Sequence, residues 1–435
     1  MVQKQLVTLL STFLALNKDC TYIQGLDSVA VVLFTSLQGT TKQCLIMPLL
    51  KQIYLAYLRP FIEKDTHNLN FRYASLLMTR LVAFHVPALF KHFKRIGFFH
   101  DFYLVQWVMT LFAHTLPISQ VIQLWTYLFT QKVEFLFFIT TAILAQLRDH
   151  LVEMDLNSTL QVINNIAGMV SIRQLIKDAL AMMAKCPQSF IVGDFLLDVD
   201  SHVREVEALA CTEFFARRWW QLECLDYRPE IELCLLSIED LVESLKPAER
   251  ILIDIRPFKQ YEECHLKGSF AMNQRLVNAY ADQQRASEVA DHLNMMQMGA
   301  SDTQSTTSAS DQSTNSQITE ADVRTINTYI DFLHAYQNQF PDNLIVLIGS
   351  RKDKGSDFGA NLITLSDSLQ DGQMVRQPVR KICILKGGID AVKVEHPELL
   401  TKSPKQQTEL SMIDQFAKYV KKHRNAAPAR ESDPI

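Results

Sequence analysis

The chain changes its hydrophobic grammar once, and that change limits what it can fold into. From the start, apolar residues recur at three-and-four spacing: Leu6, Leu9, Leu10, Phe13 and Leu14, then Leu26, Val29, Ala30, Leu33 and Phe34. That is the period of a helix with one buried face. The same spacing predicts helices at about 41–58, 71–84, 103–114 and 118–129, with two or three more by residue 185. Asp27 and Thr41 can cap helix starts, and Pro87 and Pro117 stand where first turns tolerate proline. Nothing in residues 1–190 alternates with period two, so this part is expected to be all-α.

From residue 237 the pattern differs. Ser237-Ile238-Glu239-Asp240 reads as a capped start of a short helix. Three apolar, β-branched runs follow, at 251–255, 344–348 and 382–385, with helical stretches between them. Near-continuous apolar strands alternating with helices predict a parallel sheet covered on both faces. The chain is therefore expected to be multidomain: an all-α region over 1–190, a connector over 191–236, an α/β region over 237–400 and a tail over 401–435. Residues 299–319 are almost wholly small and polar, with Ile318 the one large apolar side chain. Such a stretch cannot bury enough surface to order itself, and is expected to be a disordered insertion within the α/β region. The connector holds an aromatic-basic cluster, Phe214, Phe215, Arg217, Arg218, Trp219 and Trp220, read as either a helix docked by its tryptophans or a partner-binding patch. The tail holds one amphipathic stretch marked by Leu410, Ile413, Phe416 and Val420.

Composition narrows the function classes. A formal net charge of −4 in 435 residues offers no basic footprint for nucleic acid. The 8 cysteines are scattered, with no C-x-x-C pair and no zinc spacing, so neither a disulfide framework nor a metal site is expected. No cofactor is implied. The N-terminus lacks the layout of a signal peptide, and the densest apolar run, Phe135 to Leu144, is far shorter than the roughly 20 residues that span a bilayer. A cytoplasmic protein without direct membrane insertion is expected.

Motifs then add chemistry. Tyr22-Ile23-Gln24-Gly25-Leu26-Asp27 lies between two predicted helices. Downstream come Phe84-His85-Val86-Pro87 with Gly97-Phe98, then Trp107-Val108-Met109-Thr110-Leu111-Phe112, then Leu124-Trp125-Thr126-Tyr127-Leu128-Phe129. In this order the blocks resemble TBC domains, the Rab GTPase-activating family: Y-x-Q-G-[MLN]-[ND], W-x-x-x-L-F and W-D-x-[LF]. Thr126 stands where the last pattern has Asp. The resemblance implies that Gln24 positions the attacking water, with Tyr22 packing beneath it and Gly25 letting the backbone approach the nucleotide; Asp27 completes the GTPase-facing motif. It also implies an arginine finger in an I-x-x-D-x-x-R segment before the Y-x-Q. The 21 residues before Tyr22 contain no arginine, and the first in the chain is Arg59. The front of such a domain, with its arginine, would lie before Met1. Because an arginine finger is worth about 10³–10⁵ in rate, the chain as it stands is expected to be a weak or inactive activator.

A second resemblance covers 251–400. Asp254, Arg256, Phe258, Tyr261, His265 and Gly268-Ser269 are similar to the opening block of rhodanese domains, and Leu385-Lys386-Gly387-Gly388 to the closing one. The resemblance implies structural roles for Asp254 and Arg256, and a thiolate at the first position of the loop after the central strand. That loop here reads Gly349-Ser350-Arg351-Lys352-Asp353-Lys354, with no cysteine. Cys383 falls mid-strand and Cys264 in the opening block, so no sulfurtransferase or phosphatase chemistry is expected.

The two regions in this order are similar to the TBC-domain kinase-like family, without its kinase-like region: no Gly-rich loop and no H-R-D occur. That resemblance implies a Rab-type small GTPase as partner, with further subunits of endosomal or growth-signalling assemblies, and a place at endomembranes reached through partners. Two function classes stay open at this point: a GTPase-activating protein, and a non-catalytic scaffold that binds a Rab and uses the inactive rhodanese-like region to grip protein. A helical-repeat adaptor is excluded, since no period of 20–50 residues recurs.

Overall fold

Helices are the only regular elements in residues 2–192 of the computed structural model, among the residues it describes. The structure describes residues 2–18, 22, 24–58, 69–192, 230–298, 318–350, 355–366, 368–370, 373–402, 414, 417, 418 and 421. The chain divides into two compact units, Met1–Ser244 and Leu245–Ile435. The aromatic-basic cluster at 214–220, Arg59, Arg351 to Lys354, the polar stretch 299–317 and Leu410, Ile413, Phe416 and Val420 of the tail lie outside the described residues.

The first unit is built around α8 (Phe135–Leu151), whose first ten residues are all buried. The apolar run that is too short for a bilayer is thus a core helix. Among the described residues no helix is long and apolar enough to cross a membrane. Around α8 pack α4 (Leu69–His85), α5 (Pro87–Ile96) and α10 (Ile172–Ala184). Pro87 opens α5 at a position where its missing N–H costs nothing, and Gly97 closes it in the left-handed region at φ 68°. Pro117 is the N-cap of α7 (Ile118–Leu128), which starts where the spacing predicts. The remaining helices are α1 (Val2–Leu16), α2 (Leu26–Leu37), α3 (Ile46–Ile53), α6 (Asp101–Trp107), α9 (Leu156–Asn164) and the short α11 (Ser189–Val192). Late in the unit, Arg80 Nε donates to the Ile231 carbonyl at 2.9 Å, and the strand β1 (Cys234–Leu236) follows. The cap expected at Ser237 is present, its hydroxyl accepting from the Asp240 amide at 3.1 Å.

Two predicted helices come out differently. The stretch 41–58 is three pieces: a 3₁₀ turn at Gln43–Leu45, then α3, then a π-turn at Tyr54–Leu58. Lys42 and Leu45, not Thr41, occupy the cap positions there. The helix predicted over 103–114 stops at Trp107, and a tight turn follows in which Leu111 and Phe112 take φ of 50° and 64°. Local preference there is helical; tertiary packing overrides it.

The second unit carries four parallel strands, in the spatial order β8 (Ile382–Leu385), β5 (Leu344–Ile348), β2 (Arg250–Asp254), β4 (Ser269–Ala271). β2 pairs in parallel with β4 on one side and β5 on the other, and β5 pairs in parallel with β8; β6 (Ser368–Gln370) and β7 (Gln373–Arg376) form a separate antiparallel pair. Every residue of β5 is buried, as its unbroken Leu-Ile-Val-Leu-Ile run requires. The three predicted runs are strands; β4 and the two-residue pair β3 (His265–Leu266) with β9 (Leu400–Thr401) carry too few residues to show a pattern. Between β4 and β5 run α13 (Gln274–Met298) and α14 (Glu320–Gln339), after α12 (Phe258–Glu263) that joins β2 to β3. Thr319, read with the polar insertion, is the N-cap of α14 and forms a capping box with Asp322, so its hydrogen bonds hold that carboxyl below its usual range. Helix α15 (Gly355–Leu365) contains Asp357-Phe358-Gly359 with Phe358 fully buried, so that tripeptide is core helix here.

Candidate functional site

The Y-x-Q-G block sits at the junction of α1 and α2. Gln24 is exposed, and Gly25 is the N-cap of α2 at φ 106°, a conformation that favours glycine. The Gly25 amide donates to Asp27 Oδ1 at 3.1 Å, and its carbonyl accepts from the Val29 amide at 3.2 Å. Asp27 therefore caps α2 from inside its first turn instead of preceding it, and its carboxylate also lies where the helix dipole favours negative charge. Tyr22 is 50% exposed.

Far along the chain, the W-x-x-x-L-F block comes back to this junction. A Cβ built on Gly25 would stand 2.7 Å from Thr110 Cγ2, so the glycine is required by contact as well as by φ. Thr110 is buried; its hydroxyl donates to the Gln106 carbonyl and accepts from the His114 amide at 3.3 Å. The third block closes on the same turn. Trp125 Nε1 donates to the Leu111 carbonyl at 2.9 Å, fully inside the protein. Thr126, in place of the patterned Asp, is exposed and bonds its own helix at the Ile122 carbonyl, 2.9 Å away. Three motif blocks thus converge on one small region and leave Gln24 facing outward. The motif spacing contained no signal for the Gly25–Thr110 approach or for the left-handed turn behind it.

The second unit has its own convergence. Asp254, fully buried, accepts from Arg256 Nε at 2.9 Å and from its terminal nitrogen at 2.6 Å. The same nitrogen reaches the Cys264 carbonyl at 2.6 Å, which ties the turn after β2 to the end of α12. Tyr261 donates to the Ser269 carbonyl at 2.7 Å and stacks on His265 with ring centroids 3.9 Å apart; burial pushes its phenol up to about 12. Gly349 begins the loop after β5, and the closing block presses on it: the Ile389 amide donates to the Gly349 carbonyl at 2.9 Å. A Cβ on Gly388 would come within 2.2 Å of that same oxygen. Ser350, half-buried, faces a cleft of about 440 Å³ also lined by Arg256, Phe258, Asn273, Gln274 and Arg275. The cleft opens at the carboxyl ends of β2, β4 and β5, beside the strand where the chain's order reverses, the usual position for a crevice in such sheets. Cys383 is buried in β8 with its thiol on the Ile345 carbonyl at 3.7 Å, and Cys264 caps α12. Among the described residues no group of three or more His, Cys, Asp or Glu side chains could hold a metal ion.

Residues 1–152 match the Rab-GTPase-TBC domain family. The chain carries a TBC domain. Similar relatives include proteins named TBC domain-containing protein kinase-like protein. The one from Dictyostelium discoideum is 26% identical over 266 residues, 61% of this chain and 24% of that protein. The human one is 28% identical over 181 residues, 41% of this chain and 20% of that protein. Human TBC1 domain family member 14 is 28% identical over 155 residues, 34% of this chain and 21% of that protein. The chain is homologous to the kinase-like proteins and spans about a quarter of their length or less. A crystal structure of the Chlamydomonas flagellar RabGAP TBC domain is similar at 19% identity and a TM-score of 0.32, over 41% of this chain and 56% of that one. With the TBC domain in place, the Tyr22–Asp27 block falls inside the matched segment, as do Trp107–Phe112 and Leu124–Phe129.

Proposed function

We propose that the TBC domain binds a Rab-type small GTPase and promotes its GTP hydrolysis by aligning the attacking water with the Gln24 side chain. In that reaction water adds to the γ-phosphorus, the bond to the β–γ bridging oxygen breaks, and GDP and phosphate leave. An amide can hold such a water because it offers both a donor and an acceptor. The observation that carries the reading is the placement of Gln24: exposed, yet immediately before a residue whose backbone is pinned by Asp27, Val29 and Thr110. Tyr22 and Gly25 support the same face. Through its GTPase the protein would work at endomembranes in the cytoplasm.

We infer in addition that residues 237–400 are a rhodanese-like region without a nucleophile. The reading is supported by the parallel sheet, the Asp254–Arg256 clamp and the contact between Gly388 and Gly349, with Gly349 and Ser350 where the cysteine would open the loop.

Single-turnover hydrolysis across a panel of GTP-loaded Rabs, with binding followed separately, tests the activator reading. At least one Rab should hydrolyse GTP faster with the chain present, and Gln24→Ala should remove most of that gain without weakening binding more than about threefold. Binding with hydrolysis at the intrinsic rate, indifferent to Gln24→Ala, would overturn it.

A further inference from the structure

We propose that Thr110 is a positioning residue for Gln24, acting through Gly25 and held in place by the left-handed turn that follows it. The inference rests on the reading of Gln24 as the water-aligning group, and it names how that side chain is kept on station.

The hydroxyl of Thr110 is used up inside its own turn, on the Gln106 carbonyl and the His114 amide. Those bonds fix its rotamer, so its methyl is what meets Gly25. On the other side, Gly25 is tied by its amide to Asp27 and by its carbonyl to Val29. The peptide leaving Gln24 is therefore gripped from both directions while the side chain stays in solvent.

The turn supplying the methyl is strained. Leu111 and Phe112 both lie in the left-handed region, at φ 50° and 64°, and neither is glycine. Such a residue carries a backbone cost and persists only where its surroundings over-determine it. Here both side chains are fully buried, the Phe112 amide reaches the Trp107 carbonyl at 2.8 Å, and Trp125 holds the Leu111 carbonyl. A helix continued past Trp107 would avoid the strain, and the local sequence favours one. What the strained form adds is the seating of Thr110 against Gly25. The line of support runs from Trp125 to Leu111, Thr110, Gly25 and Gln24.

The test is a double-mutant cycle in the whole chain. Thr110→Ser deletes the methyl and keeps the hydroxyl; Gly25→Ala drives a Cβ into that methyl; the double variant carries both. Each is measured for affinity to a Rab loaded with a non-hydrolysable GTP analogue, for affinity to the same Rab with GDP and aluminium fluoride, and for single-turnover rate. Amide exchange over residues 24–29 gives a readout that needs no activity. Thr110→Ser should leave analogue binding within about twofold, lower the aluminium fluoride affinity and the rate about tenfold, and speed exchange over 24–29. Misplacement of roughly an ångström can cost about 100-fold, so tenfold is a moderate displacement. In the double variant the loss should be clearly less than the product of the two single losses, because serine gives the new Cβ room. Multiplicative losses, equal weakening of analogue and aluminium fluoride binding, or unchanged exchange over 24–29 would overturn the proposal. Gln24→Ala without effect on rate sinks the water-aligning reading and this one with it; a Gln24→Ala loss beside independent Gly25 and Thr110 effects sinks this one alone.

Discussion

Asp254→Asn isolates the energetics of the buried clamp in the second unit, because it keeps the shape and removes the charge. In the native protein Oδ1 accepts from the Arg256 amide at 3.1 Å and from Nε at 2.9 Å, while Oδ2 accepts from the terminal nitrogen at 2.6 Å. Asparagine must place an NH₂ at one of those oxygens, so in either amide orientation a donor faces a donor. The Arg256 cation, 4% exposed, is then left without its counter-charge. Removing one partner of a buried pair costs about 3–5 kcal/mol. At roughly 2–4 °C per kcal/mol for a domain of this size, the transition of the second unit should fall by about 6–20 °C. Differential scanning calorimetry of the whole chain reads the shift, and hydrogen exchange across Arg250–Ala271 assigns it to this unit. Replacing both partners at once, Asp254→Leu with Arg256→Met, should cost less than Asp254→Asn alone, since no charge is stranded. A loss below about 1 kcal/mol in the single variant, or a double variant worse than the single, would refute the reasoning.

Two further outcomes are expected. His100 is buried with Nδ1 2.6 Å from the Tyr103 hydroxyl, and burial lowers its pKa to about 3. Below about pH 6.5 the unfolded chain takes up a proton that the folded one refuses. Its contribution is thus full above that pH and declines toward pH 3 at up to about 1.4 kcal/mol per unit; urea midpoints from pH 7 to 4.5 should flatten in His100→Gln, and an identical slope would contradict the assignment. The purified chain should show no thiosulfate sulfurtransferase turnover, since Gly349 and Ser350 open the loop and Cys383 is buried; a persulfide on Cys264 or Cys383 that turns over would defeat that expectation.

Much of the architecture was legible because period alone carries it. The spacing of Leu26, Val29, Ala30, Leu33 and Phe34 could only be a helix with one buried face, and all five are buried. The unbroken Leu344–Ile348 run could only be a strand covered on both sides. The motif reading placed Gln24 at a helix junction, where the structure has it exposed. Periodicity failed where several backbone forms bury the same residues. Trp107, Leu111 and Phe112 are buried in the observed turn as they would be in a helix, so their apolar character could not distinguish the two. In the 41–58 stretch, 3₁₀, α and π geometry follow one another with Ile46, Leu50, Ile53, Tyr54, Tyr57 and Leu58 all inward. The meeting of Gly25 with Thr110 joins positions too far apart in sequence for any local rule to connect.

The contact between Gly388 and Gly349 reaches beyond packing. The main chain at the head of that loop is held by another stretch of main chain, through the Ile389 amide and a glycine that no larger residue can replace. The course of the main chain at Gly349 is thus specified by its neighbour rather than by its own side chain. Main chain held in this way keeps its course when the side chain at Ser350 is exchanged. Change at position 388 has no such freedom, and there inheritance should be strict.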